Sequence, residues 1–181
     1  MSHPLTGRCL CSSVRFRATQ KPQRTLACHC GFCQRLTGTA FYVESIFPID
    51  AVEFEGGEIK SYAHVSDTSG KRVFAHFCAR CGTTLGLTFE RWPEARAVSR
   101  SCFDSPNDIA IDAHIWTRSA QSGVAVPAGV DCFSLSRYRL DGQTETPVRY
   151  ENPVTLRTVV PDSSGEQTPQ PQGRALRPAE R

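Results

Sequence analysis

Apolar and polar residues alternate with a period of two along most of the chain, and this pattern predicts a mainly β domain. Turn residues separate the alternating segments at Gly56-Gly57, at Ser69-Gly70 and at residues 105–108. Short helical pieces are expected only at residues 33–37 and near residues 90–93. The segments predicted as strands are residues 13–18, 41–47, 51–55, 71–77, 83–89, 97–103 and 131–138.

The pattern ends near Val160, where Pro, Gln, Ser and Gly replace the apolar periodicity. Such a composition is typical of a disordered tail. We therefore expect one folded domain over residues 4–157 and a disordered tail over residues 158–181. A chain of 181 residues has the size of a single domain, and its 13 Gly, 12 Pro and one Met argue against a helical bundle.

Charge and targeting signals narrow the class of protein. The formal charge is +3, and the Lys and Arg residues are scattered rather than clustered, so we expect no nucleic-acid partner. No apolar run is long enough to span a membrane, and the first residues do not resemble a secretory signal. The sequence thus predicts a soluble, cytoplasmic protein.

Cysteine is the unusual component of the composition, with nine residues in 181. Seven fall into three clusters: the first is Cys9-x-Cys11, the second is Cys28-x-Cys30-x-x-Cys33 and the third is Cys78-x-x-Cys81. In a chain without a secretory signal, such spacing favours metal ligands over disulfides. Gly82 supplies the backbone freedom that a zinc knuckle needs after its second cysteine. Cys102 and Cys132 stand alone and are expected to be small core residues.

Seven sulfurs suggest one closed site of four ligands and one open site of three. A three-ligand site leaves a position free and is typical of catalytic zinc. One partition joins Cys30 and Cys33 to the third cluster and leaves Cys9, Cys11 and Cys28. The other joins the first and third clusters in the closed site and leaves the second cluster open. Spacing alone does not decide between them, although a contiguous loop presents three sulfurs more readily. With two Zn²⁺ held by seven thiolates, the formal charge falls to about zero.

These motifs resemble the glutathione-dependent formaldehyde-activating enzyme family over roughly residues 5–140. The resemblance implies a mainly β fold of the tent type, built around zinc, and it implies the second partition. Cys9, Cys11, Cys78 and Cys81 would then hold a structural zinc, and Cys28, Cys30 and Cys33 an open zinc site with the catalytic role. Residues 119–127 depart from the family, which often has a Trp and a Leu-Pro-like segment there. The matching segments are residues 7–16, 28–38, 77–85 and 112–116.

The family reaction implied by the resemblance is the reversible addition of glutathione to formaldehyde, which gives S-(hydroxymethyl)glutathione. The expected protein is a carbon–sulfur lyase with two zinc ions per chain and with a small-molecule thiol and an aldehyde as its partners. Arg35 is the first candidate to bind the carboxylates of the thiol, because it follows the second cluster directly. His114 matches a family position and is a second candidate at the substrate. His29, His114 and Asp104 are candidates for the acid or base.

Three alternatives stay open from sequence. A zinc-stabilised binding protein of the same fold would keep the metal sites without lyase activity. A methionine sulfoxide reductase of the B type would pair a related β fold with a four-cysteine zinc and would need Cys102 or Cys132 as a reactive thiol. A nucleic-acid-binding zinc ribbon would need clustered basic residues.

Overall fold

The computed structural model describes residues 5–156, which divide into two compact units. In the described chain, unit 1 comprises residues 5–27 and 42–112, and unit 2 comprises residues 28–41 and 113–156. Each unit is therefore built from two separate stretches of sequence. The expected domain ends, Pro4 and Arg157, and the expected tail of residues 158–181 lie outside the described residues.

Unit 1 is made of antiparallel strands, which confirms the mainly β prediction. One sheet has the order β1-β2-β5, and a larger one has the order β3-β4-β9-β8-β7-β6. Three short 3₁₀ turns follow the strands at Ile49–Ala51, Arg100–Cys102 and Pro106–Asp108. The strands are β1 (Leu5–Arg8), β2 (Val14–Ala18), β3 (Arg24–Cys28), β4 (Tyr42–Pro48), β5 (Val52–Gly56), β6 (Ile59–Val65), β7 (Arg72–Cys78), β8 (Thr84–Phe89) and β9 (Ala95–Ser99).

The core of unit 1 follows from the alternation in the sequence. On β2, Val14, Phe16 and Ala18 are buried while the arginines between them are exposed. Phe16 packs edge-on against Phe103, with ring centroids 5.0 Å apart. Phe47 is fully buried in the same cluster. Burial of each such side chain contributes about 1.5–3 kcal/mol to the stability of the unit.

Two glycines inside strands mark places where backbones approach closely. A Cβ at Gly86 would lie 2.0 Å from the carbonyl oxygen of Ala97 on the neighbouring strand. A Cβ at Gly7 would lie 2.3 Å from the carbonyl oxygen of Cys102. Both positions therefore require glycine for reasons of space, although glycine ordinarily weakens a strand.

Unit 2 contains the single α-helix of the described residues and four short strands. The elements are α1 (Gly31–Thr37), β10 (Ala113–Ile115), β11 (Ala125–Val126), β12 (Asp131–Cys132) and β13 (Val154–Thr155). The strand β10 pairs with β12 in parallel, and β11 pairs with β13 in antiparallel fashion. A 3₁₀ turn covers Thr117–Ser119. The helix begins after Cys30 and ends at Gly38, whose φ of +66° is the left-handed cap that glycine favours.

Some local predictions are wrong. The helical piece expected near residues 90–93 is a bend and a turn. The strand predicted over residues 131–138 contains only Asp131–Cys132, and that over 97–103 ends at Ser99. Strand β6 is missing from the prediction because nearly all of it is exposed, so its residues show no alternation of buried and exposed positions. Within residues 5–156, no helix is long and apolar enough to cross a membrane.

Candidate metal centres and the thiol loop

Four cysteines of unit 1 converge on one point. The Sγ atoms of Cys9, Cys11, Cys78 and Cys81 all lie within 4.8 Å of one another. The first pair follows β1, and the second pair lies at the turn between β7 and β8. Cys9 and Cys78 are each 1% exposed. The first and third sequence clusters therefore form one buried to half-buried group, here called the four-sulfur group.

The spacing of these sulfurs fits a tetrahedral zinc site. Zn–S bonds of about 2.3 Å in a tetrahedron place the sulfurs about 3.8 Å apart. The Cys9 and Cys11 sulfurs are 3.5 Å apart, and those of Cys11 and Cys78 are 3.9 Å apart. An all-thiol donor set with this spacing is suited to zinc. The residues present therefore fit a closed structural zinc.

A hydrogen-bonded backbone turn closes each cysteine pair, of five residues from Cys78 and of four residues from Cys9. The carbonyl oxygen of Cys78 accepts a hydrogen bond from the Gly82 amide at 2.9 Å, and that of Cys9 accepts one from the Ser12 amide at 2.9 Å. Gly82 has a φ of +71°, as the zinc-knuckle interpretation requires. Ser12 occupies the matching position with a φ of +59°. A serine thus adopts a conformation that glycine takes at lower cost.

Two hydroxyl groups lie against the four-sulfur group, and the sequence interpretation missed both. The Oγ of Ser13 lies 3.1 Å from the Cys11 sulfur and 3.3 Å from the Cys78 sulfur. The Oγ1 of Thr83 lies 3.1 Å from the Cys81 sulfur, and this contact is the main reason that the pKa of Cys81 falls to about 5. Each hydroxyl residue stands two positions after the second cysteine of its pair, a spacing that could have identified it.

Three cysteines of unit 2 form a second group. The Sγ atoms of Cys28, Cys30 and Cys33 lie within 4.8 Å of one another, and we call residues 28–33 the thiol loop. Cys28 ends β3, Cys30 caps α1, and Cys33 lies in the first turn of α1. Cys28 and Cys33 are buried, whereas Cys30 is half-buried. The structure thus groups the seven sulfurs as four and three.

The thiol loop favours the thiolate form of its central cysteine. Hydrogen bonds from the thiols of Cys28 and Cys33 lower the pKa of Cys30 to about 3, against the opposing effect of burial. The backbone amide of Cys33 also donates to the Cys30 sulfur, at 3.4 Å. Zinc binds cysteine as the thiolate, so these donors make the loop a suitable ligand set for a three-coordinate protein site.

A pair of buried histidines supports the thiol loop. His29 lies between two of the cysteines and is fully buried, and His114 on β10 is 3% exposed. The Nε2 of His29 lies 2.9 Å from the Nδ1 of His114. Burial lowers the pKa of both rings, and the nearby His114 helps to lower that of His29 to about 4. Both rings are therefore neutral at pH 7, and one donates to the other.

The other residues selected from the sequence lie in different surroundings. Arg35 is exposed on α1, and its Nη1 donates to the carbonyl oxygen of Gly31 at 3.4 Å. Asp104 belongs to unit 1, where it accepts a hydrogen bond from Thr6 Oγ1 at 2.7 Å and pairs with Arg8 at 3.6 Å. These contacts occupy both oxygens of the Asp104 carboxylate. The roles predicted for Arg35, His114 and Asp104 stay predictions.

Cys102 and Cys132 are buried, at 7% and 3% exposure. Burial raises the pKa of each thiol to about 11. A thiol that is buried and protonated is a poor nucleophile. Neither cysteine therefore has the surroundings that a reductase of the methionine sulfoxide type would need.

Comparison with known proteins identifies the family. The family model for the glutathione-dependent formaldehyde-activating enzyme matches residues 4–119. A Halomonas elongata protein named "Putative glutathione-dependent formaldehyde-activating enzyme" is 32% identical over 104 residues, which cover 56% of this chain and 66% of that protein. A Schizosaccharomyces pombe protein named as an uncharacterized lyase is 26% identical over 109 residues, covering 60% of this chain and 75% of that protein.

A crystal structure of a Rhodobacter sphaeroides protein superimposes with a TM-score of 0.46 and 19% identity, over 57% of this chain and 93% of that one. The matched region of the chain spans slightly less than two thirds of the Halomonas protein. The family match covers both cysteine pairs of the four-sulfur group, the thiol loop and His114. The chain therefore belongs to the glutathione-dependent formaldehyde-activating enzyme family.

Proposed function

We propose that this protein is a zinc-dependent carbon–sulfur lyase that reversibly joins glutathione to formaldehyde. In the forward direction the thiol sulfur bonds to the aldehyde carbon, and the thiol proton ends on the former carbonyl oxygen, giving S-(hydroxymethyl)glutathione. The observation that carries this proposal is the thiol loop, in which three sulfurs converge apart from the four-sulfur group. Family membership supports the choice of thiol and aldehyde.

The two sulfur groups suit different tasks. Four protein ligands close a tetrahedral site, so Cys9, Cys11, Cys78 and Cys81 would hold a structural zinc. Cys28, Cys30 and Cys33 would hold a second zinc and leave one position for substrate. The chemistry that zinc supplies in such a site is to lower the pKa of a bound thiol, so that the thiolate is available at neutral pH.

The protein's own groups hold and orient this site. Cys30 is set at the start of α1 by the Cys33 amide, and the buried His29 ring beside it is fixed by His114. We propose that His114 acts on the substrate site indirectly, by holding His29 and with it the thiol loop. Arg35, exposed on the same helix, is the group that we propose for the carboxylate of the thiol.

We infer a cytoplasmic location from the state of the cysteines. All nine are free thiols in the structure. Free thiols and zinc-thiolate sites persist in a reducing compartment, which is also where glutathione is available as a thiol.

The experiment that tests the function is exchange NMR on a glutathione–formaldehyde mixture. Because the adduct also forms spontaneously, the uncatalysed rate is measured first and subtracted. We expect wild-type protein to accelerate exchange and Cys30→Ser to abolish the acceleration. Cys132→Ala is the matched control, since Cys132 is a buried cysteine of the same unit outside the thiol loop, and it should keep the wild-type rate.

A folded wild-type protein with two zinc ions bound and no acceleration would contradict the lyase proposal. The favoured alternative would then be a zinc-stabilised binding protein of the same fold. Acceleration that survives in Cys30→Ser would contradict the assignment of the chemistry to the thiol loop.

A further inference from the structure

Unit 2 has a cleft of about 380 Å³ along the exposed face of α1. Three positions of α1 and its C-cap border the cleft, at spacings of three, four and seven residues from the first: Gly31, Gln34, Arg35 and Gly38. This spacing places them on one face of a helix. Thr39 and Ala40, which follow the helix, and Gln121, from the segment after the 3₁₀ turn of unit 2, complete the lining. The cleft begins directly after Cys30, the cap of the same helix.

The two glycines leave the ends of this cleft open. Gly38 needs its left-handed φ of +66°, which a larger residue would adopt only with strain. A Cβ at Gly31 would lie 3.1 Å from the Nη1 of Arg35, a close contact that would require the end of that side chain to shift by a few tenths of an ångström. The helix face therefore presents only Gln34 and Arg35 as long side chains.

The side-chain amide of Gln34 is used in hydrogen bonds within the protein, so Gln34 lines the cleft without offering a free polar group to a ligand. Its Nε2 donates to the carbonyl oxygens of His29 at 2.7 Å and Ser119 at 2.9 Å. Its Oε1 accepts from the Nε2 of Gln121 at 3.3 Å. This bond fixes the Gln121 amide at the edge of the cleft. Within residues 5–156, the Gln121 Oε1 accepts no hydrogen bond, so it is available to a donor on a ligand.

Arg35 is the charged group of the cleft. Its contact with the Gly31 carbonyl oxygen uses one N–H at a distance of 3.4 Å. In the part of the chain that the structure describes, Arg35 forms no ion pair, and no Asp or Glu borders the cleft. A guanidinium with most of its N–H groups uncommitted matches the geometry of a carboxylate.

We propose that this cleft binds the C-terminal carboxylate of a peptide thiol, with Arg35 donating to the carboxylate and the Gln121 Oε1 accepting the adjacent amide N–H. The inference rests on the proposed function, because it places the remainder of the substrate whose sulfur is held at the thiol loop. A peptide C-terminus has a carboxylate next to a neutral N–H. An amino-acid end instead has a carboxylate next to an ammonium group, which the positive charge of Arg35 repels.

S-methylglutathione tests the cleft without the chemistry, since its blocked sulfur neither forms a thiolate nor adds to an aldehyde. Isothermal titration calorimetry on the zinc-loaded protein should show binding that weakens about tenfold or more in Arg35→Met, as expected for a hydrogen bond to a charged group. Gln121→Leu should weaken binding about fivefold. Arg35→Lys should recover part of the lost affinity, because lysine keeps the positive charge. Recovery should be incomplete, because lysine cannot donate to a carboxylate with the bidentate geometry of a guanidinium.

Arg15→Met is the matched control. Arg15 is exposed on β2 in unit 1, and its loss changes the net charge equally. This variant should bind S-methylglutathione as wild type does. The second control is S-methylglutathione esterified at its glycine carboxylate. Wild type should bind this ester as weakly as Arg35→Met binds the free acid. Wild type and Arg35→Met should bind the ester with equal affinity.

Three results would overturn the proposal: no measurable binding of S-methylglutathione, equal binding of the ester and the acid by wild type, or an equal loss in Arg15→Met and Arg35→Met. The exchange assay separates the two proposals. If binding depends on Arg35 but the protein does not accelerate exchange, the cleft proposal stands and the lyase proposal is contradicted. If the protein accelerates exchange but ligand binding does not depend on Arg35, only the cleft proposal is contradicted.

Discussion

The Nε2 of His29 lies 2.9 Å from the Nδ1 of His114, and this bond joins two neutral rings that are almost completely buried. The rings are nearly parallel, with an interplanar angle of 20°. In the described part of the chain, the Nδ1 of His29 is buried without a hydrogen-bond partner. The Nε2 bond is therefore the one side-chain hydrogen bond that holds this ring between Cys28 and Cys30.

Removing the partner should destabilise the protein. His114→Leu leaves both ring nitrogens of His29 buried without partners, and we expect the free energy of unfolding to fall by about 1–3 kcal/mol. His114→Asn keeps a polar group near the position of Nδ1 and should lose less. Urea unfolding of the zinc-loaded proteins measures both values. Equal stability of His114→Leu and wild type would show that the bond contributes nothing.

Acid should destabilise the protein through the same pair. Burial lowers the pKa of His114, and burial together with His114 lowers that of His29 to about 4. An unfolded histidine has a pKa of about 6.5, so below this pH the unfolded chain binds protons that the native rings do not. The free energy of unfolding should therefore decrease as the pH falls from about 6.5, by up to about 1.4 kcal/mol per pH unit for each histidine.

His76 of unit 1 has a pKa lowered by burial and by Arg96, so it adds a background that wild type and variant share. His114→Asn should thus reduce the slope by up to one histidine's contribution between pH 6.5 and 5 (about 1.4 kcal/mol per pH unit). The measurement is urea unfolding at several pH values with the zinc content determined at each. A slope that is the same in both proteins would contradict the assignment to the pair.

The two sulfur groups should respond differently to the loss of one ligand. Cys78→Ser breaks the four-sulfur group, which ties the segment after β1 to the turn between β7 and β8. Because the binding energy of a structural zinc contributes directly to folding, this variant should unfold. Cys30→Ser should instead give a folded protein with one zinc ion fewer. Circular dichroism and zinc analysis test this prediction. Unfolding of both variants alike would contradict the assignment of a structural role to the four-sulfur group alone.

The features that sequence could predict are those set by local spacing. The alternation of apolar and polar residues in β2 matches its buried and exposed positions. The cysteine clusters are recognisable from separations of two and three positions in the sequence. The sequence predicts helix α1 from residue 33, whereas the helix begins two residues earlier, at Gly31, because Cys30 caps it. Such features depend on neighbours in the chain, so the sequence contains the information directly.

Features that depend on distant partners could not be predicted. The bond between His29 and His114 joins residues 85 positions apart, and the Gln34–Gln121 contact joins residues 87 apart. Nothing near Gln121 in the sequence indicates that its amide faces α1. Partners across such distances are brought together by tertiary structure, which overrides local propensity. Strand β6 escapes prediction for a different reason: it pairs with β7, the next strand in the chain, but its exposed residues show no alternation of buried and exposed positions.

Ser12 offers a test of backbone strain at the four-sulfur group. Its φ of +59° is in the left-handed region, whereas Gly82 has the same place in the other cysteine pair with a φ of +71°. An L-residue in this region costs about 1–2 kcal/mol, and the extra freedom of glycine in the unfolded chain returns about half of that. Ser12→Gly should therefore raise the free energy of unfolding by about 0.5–1 kcal/mol. Ser12→Ala has the same strain as serine and should give no gain. Thermal unfolding at equal zinc content compares the three proteins, and a glycine variant no more stable than the alanine variant would show that Ser12 is not strained.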